Sequence, residues 1–432
     1  MWSIRKTLIF IISLQYIGVF SAYTQIYIPL ETSDSLQKKE AIEIFQHSVS
    51  NFLRSLKSEV KRNTWSKINQ NSVAFSRDYQ NQIEANQFIY DKRIIGLVQN
   101  ILTEICLPNN LNFREFQIMV SKNHSLNAFC LPYGTIVLHL GVFHWLQNED
   151  QVASVLCHEV AHYLLKHSIV SQIRTVEDNK IQKQTRKVLN SGYGKTEKAL
   201  TLYRSFLYEN SELSRRNELQ ADSLGYILYK NTNYNSHDYK IAMSRMELYD
   251  TVKIDSLKIS TLSQLFGIEG VEINPYLFSN VEYSKIDFYV EDKLINKDSL
   301  LSHPQVKIRI NYLESLFPEL KQNSSNLVSE LYKEISYKAF MEQAPNLFNS
   351  KYYGDCLYLC MLHIQNEFQS EYHKVWMSKC LKEIYLARKS YTLSKYIDGL
   401  DPKVQNIAYY RFLKILWELN IDELKLLVDY YS

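Results

Sequence analysis

The sequence predicts an α+β fold that is mostly helical, with a small sheet beside a central helix and a helical C-terminal region. Three observations lead there. Long stretches carry apolar residues at helical spacing, and only two runs read as strands, both shortly before the most distinctive motif. The 432 residues hold only 11 Gly and 8 Pro, too few for a Gly-rich β-solenoid or long low-complexity linkers. A composition of 46% hydrophobic and 22% charged residues excludes a disordered chain, a collagen and a multi-span membrane protein. The length exceeds that of a single typical domain, so more than one structural unit is expected.

The N-terminus reads as an export signal over residues 1–22. Arg5 and Lys6 form a basic segment, Thr7 to Phe20 an apolar one interrupted by Ser13, Gln15 and Tyr16, and Ser21 and Ala22 supply small residues for cleavage. The apolar run is short for a membrane span, which needs about 20 apolar residues, and no later segment reaches that length. An exported chain is expected, in the periplasm, or held at the membrane if the signal stays uncut. Net charge is +3, and removing Arg5 and Lys6 leaves +1 (3 − 2), so no electrostatic footprint for nucleic acid is present.

Residues 33–105 are expected to be helical. Ile42, Phe45, Val49, Phe52, Leu53 and Leu56 mark one apolar stripe and Ile94, Ile95, Leu97, Val98, Ile101 and Leu102 another. Pro108-Asn109-Asn110 ends the second helix. Phe113 to Val120 is short and rich in β-formers, and Asn127 to Leu140 contains Thr135-Ile136-Val137-Leu138 after a Pro132-Tyr133-Gly134 turn. Asn148, with Gln151 three residues on, caps the next helix, which runs through Leu156, Val160 and Leu164 to about His167. A polar, Lys-rich insertion over 172–200, a helix over about Asn210 to Lys230 and a variable stretch to 300 follow. Pro304 opens a helix that ends at Leu316, before Pro318. Residues 326–432 read as helical hairpins, one of which, starting at Tyr352-Tyr353-Gly354-Asp355, is faintly tetratricopeptide-like. A first unit over 23–320 and a C-terminal unit over 326–432 are expected. Of the six cysteines, Cys106, Cys130 and Cys157 sit in apolar contexts as buried thiols, while Cys360 and Cys380 are spaced to bridge a helical hairpin.

His158-Glu159-Val160-Ala161-His162 is the motif that carries chemistry. Four residues on a helix turn about 400°, which puts both imidazoles on one face about 6 Å apart, as two ligands of a tetrahedral Zn²⁺ require. Glu159 lies about 100° around the helix. It flanks the metal and can take a proton from an activated water and return it to a leaving amine. With 11 His in the chain, a chance match is expected about 0.02 times, so the motif outweighs two unrelated surface histidines. A third ligand is needed. Glu218 and Asp222, four apart on the downstream helix, share a face: Glu218 can bind the metal while Asp222 fixes the tautomer of a ligand His. Alone, such a pair more often means a solvated face salted by Arg215 and Arg216.

These elements together resemble the zinc peptidases of the CAAX prenyl endopeptidase and HtpX heat-shock protease type. The shared order is Asn127-Ala128-Phe129 with Gly134, then the His-Glu-x-x-His helix with a further His167. Glu-x-x-Ala-Asp with Gly225 comes next, then His303-Pro304 with Arg309-Ile310, the whole covering about 85–316. The architecture is most similar to the soluble periplasmic branch related to the β-barrel assembly-enhancing protease. The resemblance implies a gluzincin core with one Zn²⁺ per chain on His158, His162 and Glu218, and Glu159 as the base. It also implies that the His303 loop approaches the site, as an oxyanion donor or as a latch on the metal's open position. Asn127, Ala128 and Phe129 would form the edge strand that receives an extended peptide. At helix end, His167 reads as a charge that complements the helix dipole. The expected activity is zinc-dependent endopeptidase cleavage of misfolded or unassembled extracytoplasmic proteins, with protein or peptide substrates and a partner protein at the C-terminal helices. The alternative is a chaperone-like or latched homologue that holds zinc and binds protein without cleaving it.

Overall fold

The computed structural model describes residues 27–177, 214–251, 256–278, 306–321, 328–402 and 405–432. The expected signal over 1–22, most of the polar insertion and His303 lie outside them. By packing the chain divides into two compact units, one of 30–254 with 291–343 and one of 1–29, 255–290 and 344–432.

The first unit is an α/β/α arrangement around a four-stranded mixed sheet. An antiparallel hairpin of α1 (Ser35–Glu59) and α2 (Arg62–Glu84) opens it. Asp34 caps α1 by accepting from the Leu36 and Gln37 amides. After β1 (Phe88–Ile89) comes α3 (Lys92–Cys106), capped in the same way by Asp91. Strand β2 (Gln117–Ser121) follows a single 3-10 turn at Phe113–Glu115, so the front of the β-rich run is not extended. Strands β3 (Ala128–Cys130) and β4 (Thr135–His139) form a hairpin through the Gly134 turn, and the sheet order is β1-β2-β4-β3. Strands β2 and β4 run parallel, with β3 antiparallel on the outside of β4.

The reason β4 sits centrally is in its composition. Thr135-Ile136-Val137-Leu138 is buried at every position, as a strand covered on both faces requires. Ile136, Leu138 and Val120 point into a core shared with α3 and the helix over Glu149–Leu164, while Val137 and Met119 point into the core under α1 and α2. Period-two alternation thus feeds two cores from one sheet.

Next come the short α4 (Gly141–Trp145), α5 (Glu149–Leu164) and α6 (His167–Glu177). The Asn148 side chain accepts from the Gln151 amide at 2.9 Å, but the Gln151 side chain accepts from the Gln147 amide rather than from Asn148. Helix α5 ends at Leu164, three residues short of the expected end, because Lys166 adopts a left-handed φ of 55°. Helix α6 packs on α2, with Thr64 Oγ1 donating to Glu177 Oε1 at 2.7 Å. Among the described residues, helices α7 (214–230), α8 (Ser236–Thr251), α9 (Val306–Leu316) and α10 (Glu330–Met341) follow in this unit. The packing boundary falls at 343/344, and α10 packs against α4 and α3.

The second unit is helical. It pairs α11 (Tyr353–Gln365) with α12 (Ser370–Lys389), followed by α13 (Ile407–Glu418) and α14 (Ile421–Tyr431). A capping box of Asn420 and Glu423 starts α14. The unit also recruits the helix Ile259–Phe266, where Thr261 Oγ1 donates to Gln365 Oε1 at 2.9 Å and the Leu257 amide meets Tyr358 Oη. All six cysteines are buried free thiols, Cys360 and Cys380 among them. Among the described residues no helix is long and apolar enough to cross a membrane.

Candidate metal centre

The site is assembled from α5, α7 and α9. Helix α5 presents His158 and His162 one turn apart on its partly open face, while Val152, Val155, Leu156 and Val160 hold the opposite side in the core. Helix α7 crosses close to α5, and Gly225 permits this. A Cβ there would lie 3.2 Å from both the N and Cα of His158 and 2.6 Å from Tyr239 Oη, so the His158 backbone would have to give way slightly and the Tyr239 hydroxyl to move. The close crossing brings Glu218 to the imidazoles.

His158 Nε2 and His162 Nε2 approach to 3.0 Å. One oxygen of Glu218 lies 3.4 Å from His158 Nε2 and the other 3.4 Å from His162 Nε2. Three potential donor atoms, one from each residue, lie within 4.8 Å of one another. Ligands about 2.0–2.1 Å from a tetrahedral ion stand roughly 3.3 Å apart, and the separation of the two Nε2 atoms and the approach of each Glu218 oxygen to its nearer imidazole are of that order. The chemistry of the donors agrees, being two imidazoles and one carboxylate with a partly open side.

Behind the donors stands a charged layer. His158 Nδ1 lies 3.0 Å from Asp222 Oδ1, so Nδ1 carries the proton and Nε2 the lone pair. Arg309 of α9 grips Asp222 with both arms, Nε to Oδ2 at 2.7 Å and Nη2 to Oδ1 at 2.6 Å, and its Nη2 also lies 3.3 Å from Glu218 Oε2. Burial would push the Asp222 carboxyl up, but Arg309 and then His158 outweigh it and hold it below its ordinary value. Burial disfavours charge on His158, yet the neighbouring Asp222 and Glu218 carboxylates raise its proton affinity above the ordinary value. Tyr239 Oη donates to the Asp222 carbonyl at 3.1 Å and steadies the same turn.

Glu159 points to the other side of the imidazoles, toward the sheet edge. Its Oε2 accepts from the Cys130 amide at 3.0 Å. Burial raises its carboxyl above the usual value, against the pull of His158 and His162. Of the expected edge residues, Ala128 and Phe129 lie in β3, and Asn127 precedes it with its carbonyl bonded to the His139 amide at 3.0 Å. The structure therefore brings together His158, Glu159, His162, Glu218, Asp222 and β3. It also draws in three further groups. Arg309 is the buried counter-ion of Asp222. His167 faces His162 and opens α6, so it stands at a helix N-terminus and not at the C-terminus where a positive charge would complement the dipole. Gln220 meets His167.

Comparison with known proteins gives the same region. The profile of peptidase family M48 matches residues 92–316, just over half of the chain. The beta-barrel assembly-enhancing protease of Yersinia pestis is 30% identical over 96 residues, 22% of this chain and 20% of that protein. Mitochondrial metalloendopeptidase OMA1 of Arabidopsis thaliana is 28% identical over 120 residues, 28% of this chain and 23% of the relative. Metalloprotease YcaL of Escherichia coli strain K12 is 24% identical over 122 residues, 28% of this chain and 45% of YcaL. The chain thus spans less than half the length of each of these relatives.

Proposed function

The chain belongs to peptidase family M48, and from that premise we propose that it is a zinc-dependent endopeptidase that cleaves misfolded or unassembled extracytoplasmic proteins. The observation that carries the reading is the convergence of His158, His162 and Glu218 with the Glu159 carboxylate held beside an open strand edge. Two imidazoles and a carboxylate are the ligand set of a catalytic zinc, with a fourth position for water. Bound zinc supplies Lewis acidity that makes water a nucleophile near neutral pH. Glu159 takes the proton of that water and returns it to the amine that leaves, so no covalent enzyme intermediate is needed. Asp222 keeps His158 in the Nδ1–H tautomer, and Arg309 keeps Asp222 ionised.

The substrate is received as an added strand on β3. Alternation along β3 decides which groups are free to pair. The Asn127 carbonyl, both backbone groups of Phe129 and the Leu131 amide turn toward β4, and the backbone groups of Ala128 and Cys130 turn away from it. Glu159 occupies the Cys130 amide, which leaves Ala128 to bond the substrate backbone. His303 is proposed to close over the same site as oxyanion donor or latch. The basic and apolar residues of 1–22 support export to the periplasm, and the helices from 353 onward are proposed to receive substrate or a partner protein, by analogy with other helical extensions.

The test is digestion of casein by the purified chain, with metal content measured alongside. One zinc per chain, cleavage abolished by a chelator and restored by Zn²⁺, and loss of cleavage in Glu159→Gln with zinc retained are expected. Cleavage by Glu159→Gln at the wild-type rate would refute the mechanism, and zinc bound without cleavage would favour the non-cleaving homologue. N-terminal sequencing of the periplasmic fraction checks export.

A further inference from the structure

The two imidazoles of the metal centre are backed differently. His158 Nδ1 faces a carboxylate that is itself gripped by Arg309. His162 Nδ1 faces another imidazole, with His167 Nδ1 at 3.0 Å, and His167 Nε2 lies 3.3 Å from Gln220 Oε1. On an unbroken helix positions 162 and 167 would point about 140° apart. The break at Lys166, a non-glycine residue with φ of 55°, reverses the chain and aims the His167 ring back at His162. Lys166 reaches Glu59 across the hairpin at 3.5 Å, and α6 leads away from the turn against α2. His167 itself is 8% exposed.

We propose that His167 and Gln220 are positioning residues that form a polar relay fixing His162 in the tautomer that binds metal. The polarity follows from proton bookkeeping and rests on the reading of His158, His162 and Glu218 as metal ligands. A His162 that offers its Nε2 lone pair must carry its proton on Nδ1. That N–H donates to His167 Nδ1, which must then be a bare acceptor. The His167 proton is therefore on Nε2, and it donates to the carbonyl oxygen of Gln220. Every contact in the chain is satisfied by this one arrangement. Reversed, His167 Nδ1–H would point at His162 Nδ1, force the His162 proton onto Nε2 and block coordination. The centre thus combines one ligand with an ionised backing and one with a neutral backing. The net negative charge around the metal is lower than with two carboxylates, which leaves the ion more electrophilic.

The test is competition for Zn²⁺ between a chromophoric chelator and the full chain, as wild type, His167→Ala, His167→Gln and Gln220→Met, with thermal melts of the chelator-stripped proteins. His167→Ala should weaken zinc binding about 10–100-fold. His167→Gln should recover most of that loss, since its amide oxygen can accept from His162 Nδ1–H. Gln220→Met, an exposed position that leaves the melt unchanged, should weaken binding in the same direction but less. The visible spectrum of the Co²⁺-substituted protein should change in His167→Ala and return in His167→Gln. Wild-type affinity in both His167→Ala and Gln220→Met would overturn the relay while leaving the metal centre standing, as would a His167→Gln as weak as His167→Ala. A wild-type chain that binds no zinc would refute the metal-ligand reading and the relay together.

Discussion

Arg309 is the group whose removal has the largest consequence, and the effect can be worked from its contacts. Its side chain makes two charge-assisted hydrogen bonds to Asp222, at 2.6 and 2.7 Å, with Glu218 Oε2 at 3.3 Å. Arg309 is 5% exposed and Asp222 1%, so solvent cannot take over either charge. In Arg309→Met the Asp222 carboxylate stays buried with His158 as its remaining side-chain partner. Two charge-assisted bonds are together about 3–6 kcal/mol, and breaking a buried pair from one side costs about 3–5 kcal/mol. The two routes agree on a loss of about 3–5 kcal/mol, a fall in melting temperature of about 6–20 °C for a unit of this size. Adding Asp222→Leu removes the stranded charge, so the double variant should regain about 2–3 kcal/mol relative to the sum of the singles. It should nevertheless bind zinc poorly, since His158 has lost its acceptor. Stability is read by urea unfolding with a chelator present, so that metal linkage does not enter, and zinc affinity is read separately. A loss below about 1 kcal/mol in Arg309→Met, or strict additivity in the double variant, would refute the reasoning.

Other consequences follow from the same packing. Gly225→Ala places a methyl against His158 and Tyr239 and should cost about 1–3 kcal/mol with weaker zinc binding, and unchanged melting and metal content would contradict the close-crossing argument. Ala128→Pro removes an outward amide that β4 does not use, so the melt should hold while the KM for a peptide rises about 2–10-fold; an unchanged KM would remove Ala128 from substrate pairing. His124 and His144 are held neutral by burial, their proton affinities lowered to about 3 and about 4. Unfolded histidine titrates near 6.5, so between about pH 6.5 and pH 4 the unfolded chain binds more protons. Stability from these groups is therefore complete above pH 6.5 and lost on acidification, at about 1.4 kcal/mol per pH unit for each. His144→Phe, whose ring would keep its place beside Phe340, should flatten that slope by one such increment in urea unfolding at stepped pH. An unchanged slope would show that His144 charges in the fold.

What the sequence discloses is what local spacing can encode. His158 with His162, and Glu218 with Asp222, are pairs at helical spacing, so their shared faces follow from helix geometry alone. The caps at Asp34, Asp91 and Asn148 and the continuous apolar run of β4 are local signals too. The parallel pairing of β2 with β4 is not local, since β3 intervenes in the chain and pairs from the other side. Arg309 is visible as part of a family pattern, but its grip on Asp222, 87 residues away, depends on tertiary packing. His167 fails for a different reason. Its position relative to His162 turns on one left-handed residue, and Lys166 carries no signal for that conformation, which glycine or asparagine would have given. Helix α10 reads like the hairpins after it, and only the face it buries assigns it to the first unit.

The interleaving of the two units has a consequence for the order in which a growing chain can mature. The helix Ile259–Phe266 emerges from the ribosome before Arg309 does, yet its unit is finished only by the last residues of the chain. The metal-binding unit likewise remains open until α9 and α10 have been made. Until then Asp222 has no guanidinium and must stay hydrated, so the helices bearing His158 and Glu218 cannot lock at their final spacing. Local helices form in microseconds, whereas the closing contact waits on synthesis at about 5–20 residues per second, several seconds after Asp222 is made. The nascent chain therefore carries the motif through the synthesis of residues 163–308 without the finished centre. Maturation of the site is tied to the arrival of the segment beginning near 306.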